Sequence, residues 1–447
     1  MLFGGPLYVL YKAVAALLVA RRLEAHTGRP VVPVFWVASD DHDFAEVRST
    51  AVLDDAGRIR TLRYAPASEP AGLPTSHVRL DATIENLLRE ARSLLPAGPH
   101  REASLDALGA SYRPGKTLAR AFARLLSFWL PSLVILDPSD PALKALMLPT
   151  LQRELTEGSP TSALATKLAG PLHEAGFHQQ VPVRPGFLNL FLFEQGQRRA
   201  LAYDDEGLEV RGAGLRMSLA EARERLAADP AAWSPGVLLR PLAQDLLLPT
   251  AAYVGGPAEI AYHAQLGPSY EHFGIPRPAL VPRPSVTLVE PPQARAMKNE
   301  NLTLTDLQAD PESQVARWAR EAHPAVEAAF AEAREATAHK LEEVERLLAE
   351  LDPTLRAAAD ATRGRALHQI DNLHEKAVRA LKKRDQVRAD RLRRTRDALF
   401  PGGLFQERCL GWIGLVARHG RGVVDLLGER IDPWARGHQV VWLRSDA

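Results

Sequence analysis

Val31-Val-Pro-Val-Phe-Trp-Val-Ala-Ser-Asp-Asp-His-Asp-Phe-Ala-Glu46 is the stretch from which the fold can be read. Its opening run, Val31 to Val37, is mostly β-branched and aromatic. It is too short for an ordinary helix and too continuously apolar for a half-exposed strand, which predicts a buried strand of a parallel sheet. After Ala38 and Ser39 the chemistry changes to Asp40, Asp41, His42 and Asp43, with Glu46 close behind. Ligands of open α/β sheets bind at the carboxyl ends of strands, so Asp41, His42 and Asp43 are candidate catalytic residues and Ser39 a candidate binding residue. The same cluster also suits the solvated cap of a following helix, with Asp41 or Asp43 accepting backbone N–H groups. Asp and His are metal ligands as well. Three consecutive side chains cannot all converge from a strand or a helix, however, so no tightly bound metal is expected.

A chain of 447 residues accommodates two or three units, each with its own core. With 24% charged residues and a net charge of +1, no global field draws it to nucleic acid or a membrane. Cys409 is the single cysteine. It has no partner for an internal disulfide, which fits a reducing cytoplasm. Leu7 to Ala20 is apolar, but Lys12 interrupts it and Arg21 and Arg22 follow it, the reverse of a signal peptide's polarity. A buried amphipathic helix is expected there.

Two Gly-Gly-Pro turns lead into helices. Gly4-Gly5-Pro6 precedes a helix running to about Ala25 and closed by Thr27 and Gly28; Gly255-Gly256-Pro257 precedes a second. Glycine permits close backbone approach, Pro suits a first turn, and the free N–H groups favour an anion. Gly4, Gly5, Gly255 and Gly256 are therefore candidate substrate- or nucleotide-binding residues. Tyr8 and Lys12 follow the first turn, and Lys12 is placed either to reach a phosphate or to be solvated. Arg240, Gln244 and Asp245 form a polar cluster before the second turn, and Glu259 follows it. Two ordinary capped helices are the alternative reading. Gly115-Lys116-Thr117 is not a phosphate loop, because Ala110 stands where the pattern needs glycine and no strand leads in.

Elsewhere, Arg58 to Tyr64 reads as strand, Asp81–Leu95 and Gly115–Leu130 as helices, and Leu133–Leu136 as another short buried strand. This helix and strand alternation is that of a parallel sheet. The expected divisions are a core over 1–305 with insertions at about 51–130 and 159–229, an antiparallel coiled-coil arm over 306–400, and a segment over 401–447 that docks back on the core. In the arm, Leu341, Val344, Leu348, Leu351 and Leu355 repeat at coiled-coil spacing, and Asp352-Pro353 marks the turn. Ala361 to Phe400 carries twelve Lys/Arg against five Asp/Glu, whereas the preceding helix is Glu-rich, so the two arms should attract.

Several blocks together resemble one family, the cysteine ligases of bacillithiol biosynthesis (BshC). They are Leu2-Phe-Gly-Gly-Pro-Leu-Tyr8 with Tyr11-Lys12, Pro33-Val-Phe-Trp-Val-Ala with Asp41-His-Asp-Phe44 and Glu46, Leu136-Asp-Pro-Ser-Asp140, Leu239-Arg-Pro-Leu with Gln244-Asp245 and Leu248-Pro-Thr250, Tyr253-Val-Gly-Gly-Pro with Glu259-Ile-Ala-Tyr262, Glu271-His-Phe-Gly-Ile-Pro276, and Leu404-Phe-Gln-Glu-Arg408. The resemblance implies an α/β, Rossmann-like core of nucleotidyl-transferase type with inserted connecting segments, an antiparallel coiled-coil hairpin and a homodimer. It also implies joining of the L-cysteine carboxyl to the amine of glucosaminyl-malate. The family pattern has a strand and a Thr-Gly-Gln-Gln segment ahead of Leu2, and Gly-Glu where this chain has Ser39-Asp40. A chain lacking the leading segment is expected to lack an interior strand and part of the nucleotide turn.

Amide formation needs an activated carboxylate, which ATP or another nucleotide supplies as an acyl-phosphate or acyl-adenylate. The protein then contributes positioning, charge stabilisation and a base, His42 or Asp43. A metal-dependent hydrolase built on Asp41, His42 and Asp43, and a non-catalytic coiled-coil scaffold, are the rival readings.

Overall fold

A computed structural model describes residues 1–70, 72–204, 207–308, 310–384 and 386–443. The chain divides into two compact units, one comprising Met1–Val289 with the segment from Gln406 onward, the other Glu290–Phe405.

The first unit opens with the helix Leu7–Thr27, whose Gly28 adopts the left-handed conformation that closes many helices. Strand β1 (Val34–Trp36) follows, then the antiparallel hairpin β2 (Ser49–Leu53) and β3 (Ile59–Arg63). Thr117 caps the helix Leu118–Trp129, which buries the Leu118, Phe122, Leu125 and Trp129 face. The next strand, β4 (Val134–Leu136), runs parallel to β1 with Val34 opposite Val134. Asp140 caps the helix Pro141–Thr156 that follows.

The parallel direction expected for Val31–Val37 is present, but its length and burial are not. Only Val34–Trp36 is strand and it stays half-buried, because among the described residues the only ladder β1 makes is with β4. Full burial of a parallel strand requires neighbours on both edges.

The stretch 187–235 forms an antiparallel sheet of β5 (Phe187–Glu194), β6 (Gln197–Asp204), β7 (Gly207–Val210), β8 (Leu215–Met217) and β9 (Trp233–Pro235), in the order β8-β7-β6-β5-β9. One face, with Leu188, Leu190, Leu192 and Leu201, packs on Met147, Leu151 and Leu155 of the Pro141–Thr156 helix. Two further parallel pairs complete the unit. Strand β10 (Ala252–Gly255) pairs with β11 (Ala279–Pro282), and β12 (Val286–Val289) with β13 (Gln439–Trp442). The Leu7–Thr27 helix packs Ala15 and Val19 against Val254 and Val281 of β10 and β11.

The second unit carries the hairpin of Pro324–Leu351 and Arg356–Arg384, turned at Asp352-Pro353. Its arms attract through Glu345 with Arg363 at 3.0 Å, in the sense that their composition predicts, and through Arg334 with Asp371 at 3.2 Å in the reverse sense. The seam differs from the leucine repeat. Leu341 and Leu348 face inward, but Leu351 is 78% exposed and Val344 also points out. Glu345 occupies the inward line instead, with its side chain only 14% exposed. An acidic residue that meets an arginine across the hairpin takes a place that leucine spacing alone would give to Val344.

Among the described residues, no helix is long and apolar enough to cross a membrane.

Candidate active site

Neither Gly-Gly-Pro turn is an open anion cradle. Gly4 and Gly5 both have positive φ, yet their groups are engaged within the protein. Gly4 N–H donates to the Tyr112 hydroxyl at 3.3 Å, Trp412 Nε1–H donates to Gly4 O at 2.7 Å, and Gly5 N–H donates to Leu2 O at 2.9 Å. A Cβ at Gly4 would lie 2.3 Å from the Trp412 ring. Glycine is thus required there for packing rather than for approach to a ligand. At the second turn Gly256 N–H donates to Glu259 Oε2 at 2.7 Å, so the protein's own carboxylate lies where an anion was expected.

That carboxylate begins a continuous hydrogen-bonded chain. Lys12 Nζ bonds both Glu259 oxygens at 2.8 and 2.6 Å. The Tyr253 hydroxyl donates to Glu259 Oε1 at 2.5 Å and accepts from Arg240 Nη2 at 3.2 Å. Arg240 also donates to the Tyr262 hydroxyl at 2.7 Å and to Gln244 Oε1 at 3.0 Å. Gln244 passes the chain to Asp245 at 3.1 Å, which accepts from the Tyr270 hydroxyl at 2.5 Å. Lys12, Arg240, Gln244, Asp245 and Glu259 therefore meet in one network.

Burial alone would raise the Glu259 carboxyl. Lys12, with the hydrogen bonds from Tyr253 and the Gly256 N–H, outweighs it and holds the group down at about 2. Burial pushes Tyr253 up to about 12, so its proton stays to link arginine to carboxylate. Burial also raises Asp245. His263 stacks on Tyr262 with ring centres 5.1 Å apart and lies 4.7 Å from the Tyr253 ring. It is fully buried, and burial lowers it to about 4, which keeps it neutral at pH 7.

At the end of β1 the acidic turn caps a helix. Asp43 Oδ1 accepts the Glu46 N–H at 3.1 Å, and Asp41 Oδ1 accepts the Asp43 N–H at 3.2 Å. Asp41, His42 and Asp43 are exposed, while Ser39 is buried. Among the described residues no three His, Cys, Asp or Glu side chains converge as a metal site. Asp40, which the sequence left without a role, pairs with the buried Lys144 at 2.5 Å.

Tyr8 lies between the two groups. Its ring is 5.2 Å from the Arg283 guanidinium, and its hydroxyl, raised by burial, lies within electrostatic reach of Glu46, Arg283, Arg408 and Glu259. Burial also raises Glu46, with Asp41 and Asp43 adding to the effect.

Lys144, Tyr253, Tyr262, His263 and Glu407 were not among the residues that the sequence singled out as candidates for the site. The tyrosines bracket the second Gly-Gly-Pro, a signal open to reading. Lys144 had none, since only the β1–β4 pairing brings its helix to Asp40.

Two family models match this chain end to end. The N-terminal Rossmann-like domain of bacillithiol biosynthesis BshC matches residues 1–284, and the BshC C-terminal coiled-coil domain matches residues 286–443. The chain belongs to the BshC family. Relatives named "Putative cysteine ligase BshC" include one from Salinibacter ruber, 34% identical over 98% of this chain and 81% of that protein. Another, from Koribacter versatilis, is 34% identical over 95% and 79%, and one from Chlorobaculum tepidum is 31% identical over 99% and 81%. The BshC core is thus Rossmann-like, and the Lys12–Glu259–Arg240 network lies within its matched span. The BshC coiled-coil match includes the hairpin of the second unit and the stretch from Gln406 to β13, which packs with the first unit.

Proposed function

We propose that this chain joins the carboxyl of L-cysteine to the amine of glucosaminyl-malate, with a nucleotide activating the carboxylate. Besides the family, one observation carries this reading. Lys12, Glu259, Tyr253, Arg240, Gln244 and Asp245 form a single polar network running from the first helix to β10. Such a network holds charged groups in fixed positions, and fixed dipoles stabilise developing charge without reorganisation.

The donor set suits a polyphosphate in its side chains but not in its backbone. Arg240, Lys12, Arg283 and Arg408 are cations around Tyr8 and Glu259, whereas the N–H groups of Gly4, Gly5 and Gly256 are already spent. Arg240, Lys12 and Arg408 would hold the nucleotide, whose role is to turn a carboxylate oxygen into a leaving group. The acidic turn supplies the proton acceptor as the amine attacks. Within it Asp43 is occupied as a cap, while the Glu46 carboxyl, raised by burial and by Asp41 and Asp43, has the greater affinity for a proton.

Incubation with L-cysteine, glucosaminyl-malate and ATP, followed by mass spectrometry, is expected to show the amide product together with ADP or AMP. Absence of product with every nucleoside triphosphate would sink the reading. Arg240→Met should lower kcat/KM by roughly 10- to 100-fold, the effect of losing charge-assisted hydrogen bonds. Steady-state kinetics on a variant with an unchanged circular dichroism spectrum measures this.

A further inference from the structure

A second cationic site lies at the carboxyl end of β1, away from the Arg240 network. Arg198, on β6, reaches across β5 with its guanidinium 3.8 Å from the centre of the Phe191 ring. Its Nε donates to Ser234 Oγ at 2.8 Å and its Nη2 to Pro235 O at 2.9 Å, both on β9. These partners are neutral. Among the described residues no carboxylate forms an ion pair with Arg198, although it is within electrostatic reach of Asp40 and Asp41. Three strands therefore aim a guanidinium whose Nη1 donates to no group among the described residues, and the residue keeps a solvent-accessible edge.

Behind it Lys144 is 1% exposed and, among the described residues, bonds only Asp40 Oδ2, which leaves two of its three donors unused there. Lys144 and Arg198 lie within electrostatic reach of each other. Asp40 Oδ1 and Ser39 Oγ are buried without a partner among the described residues. The buried Lys144 and the half-buried Arg198 thus have one half-buried carboxylate, Asp40, within reach, since Asp41 is exposed. A buried charge without a counter-charge is costly, and buried polar atoms without partners need an explanation. An anionic ligand supplies the counter-charge and an acceptor for the Ser39 hydroxyl.

We propose that Arg198, fixed by Phe191, Ser234 and Pro235 and backed by the Lys144–Asp40 pair, is a carboxylate-binding subsite at the end of β1. The identity of the carboxylate rests on the ligase reading. Both substrates bring carboxylates, but the reaction consumes that of cysteine. A fixed guanidinium suits a carboxylate that remains a carboxylate throughout, and this is the malyl group of glucosaminyl-malate. Arg198 is then a binding residue that sets specificity, positioned by Phe191, Ser234 and Pro235.

The test uses the full chain. Calorimetric titration with L-malate alone and with L-cysteine alone is compared for wild type, Arg198→Gln, Arg198→Lys and Ser234→Ala. Arg198→Gln should weaken L-malate binding by about 10-fold or more and leave L-cysteine binding unchanged, as expected for loss of a charge-assisted pair. Arg198→Lys should recover part of the loss. Ser234→Ala, which frees the guanidinium without removing it, should cost about 3-fold and provides the readout if Arg198→Gln does not fold. In kinetics the KM for glucosaminyl-malate should rise while that for cysteine does not. Weakened cysteine binding with unchanged malate binding would overturn the malyl assignment. Unchanged binding of both by folded Arg198→Gln would show that Arg198 is only a strut, and so would unchanged malate binding by Ser234→Ala where Arg198→Gln does not fold. Malate binding that depends on Arg198 in a protein without ligase activity would uphold the subsite and sink the ligase reading.

Discussion

Glu407→Gln is expected to destabilise the first unit by about 3–5 kcal/mol, the cost of breaking a buried ion pair from one side. Arg283 and Glu407 have side chains only 5% and 3% exposed, and Arg283 Nη2 meets Glu407 Oε1 at 2.8 Å. The other carboxylate oxygen accepts the Val286 N–H at 2.7 Å. Next to it the Gln406 amide accepts the Leu288 N–H at 2.9 Å and donates to Leu288 O at 3.1 Å. Together these two side chains satisfy the free edge of β12 as a neighbouring strand would. Glutamine can keep one hydrogen bond but not the charge, so the Arg283 guanidinium is left buried and uncompensated. Urea unfolding should show a lower midpoint at unchanged slope. The double variant Arg283→Met with Glu407→Leu should recover much of the loss, because it leaves no stranded charge. A single-variant loss under about 1 kcal/mol, the range of an exposed pair, would refute the account.

Acidification should destabilise the first unit through His263, by about 3 kcal/mol between neutral pH and pH 4. Burial lowers this histidine from an ordinary 6.5 to about 4, and the nearby Arg240 adds to the effect. Between those values the unfolded chain binds a proton that the folded chain excludes. The contribution is therefore complete above pH 6.5 and is lost as the pH falls toward 4. His263→Phe keeps an aromatic ring between Tyr253 and Tyr262 but cannot titrate. It also removes two ring nitrogens that have no hydrogen-bond partner among the described residues. The variant should equal or exceed the wild type at pH 7 and lose less stability at pH 4.5. Parallel urea midpoints for the two proteins across this range would contradict it.

Much of the architecture could be read locally. The Val31–Val37 run gave a parallel strand, Leu118 to Trp129 a helix with one apolar face, and Asp352-Pro353 the hairpin turn, because each depends on the period or the backbone preferences of adjacent residues. The chemistry of the network was also visible as residue types. Lys12, Arg240, Gln244, Asp245 and Glu259 stand beside recognisable turns. Misreadings arose where a local pattern has two structural uses. A Gly-Gly-Pro turn can receive an anion or receive Trp412, and a leucine repeat can face a partner helix or water.

What this sequence determined by itself was the set of elements, the acidic turn after β1 and the family to which its blocks are similar. Only the tertiary structure decided which charges meet. Lys12 and Glu259 are 247 residues apart, Arg283 and Glu407 are 124 apart, and Lys144 and Asp40 are 104 apart. The physical reason is that an ion pair depends on a separation of a few ångströms, which strand order and helix packing set. Propensity and spacing act only over a turn or two of chain and do not carry that distance.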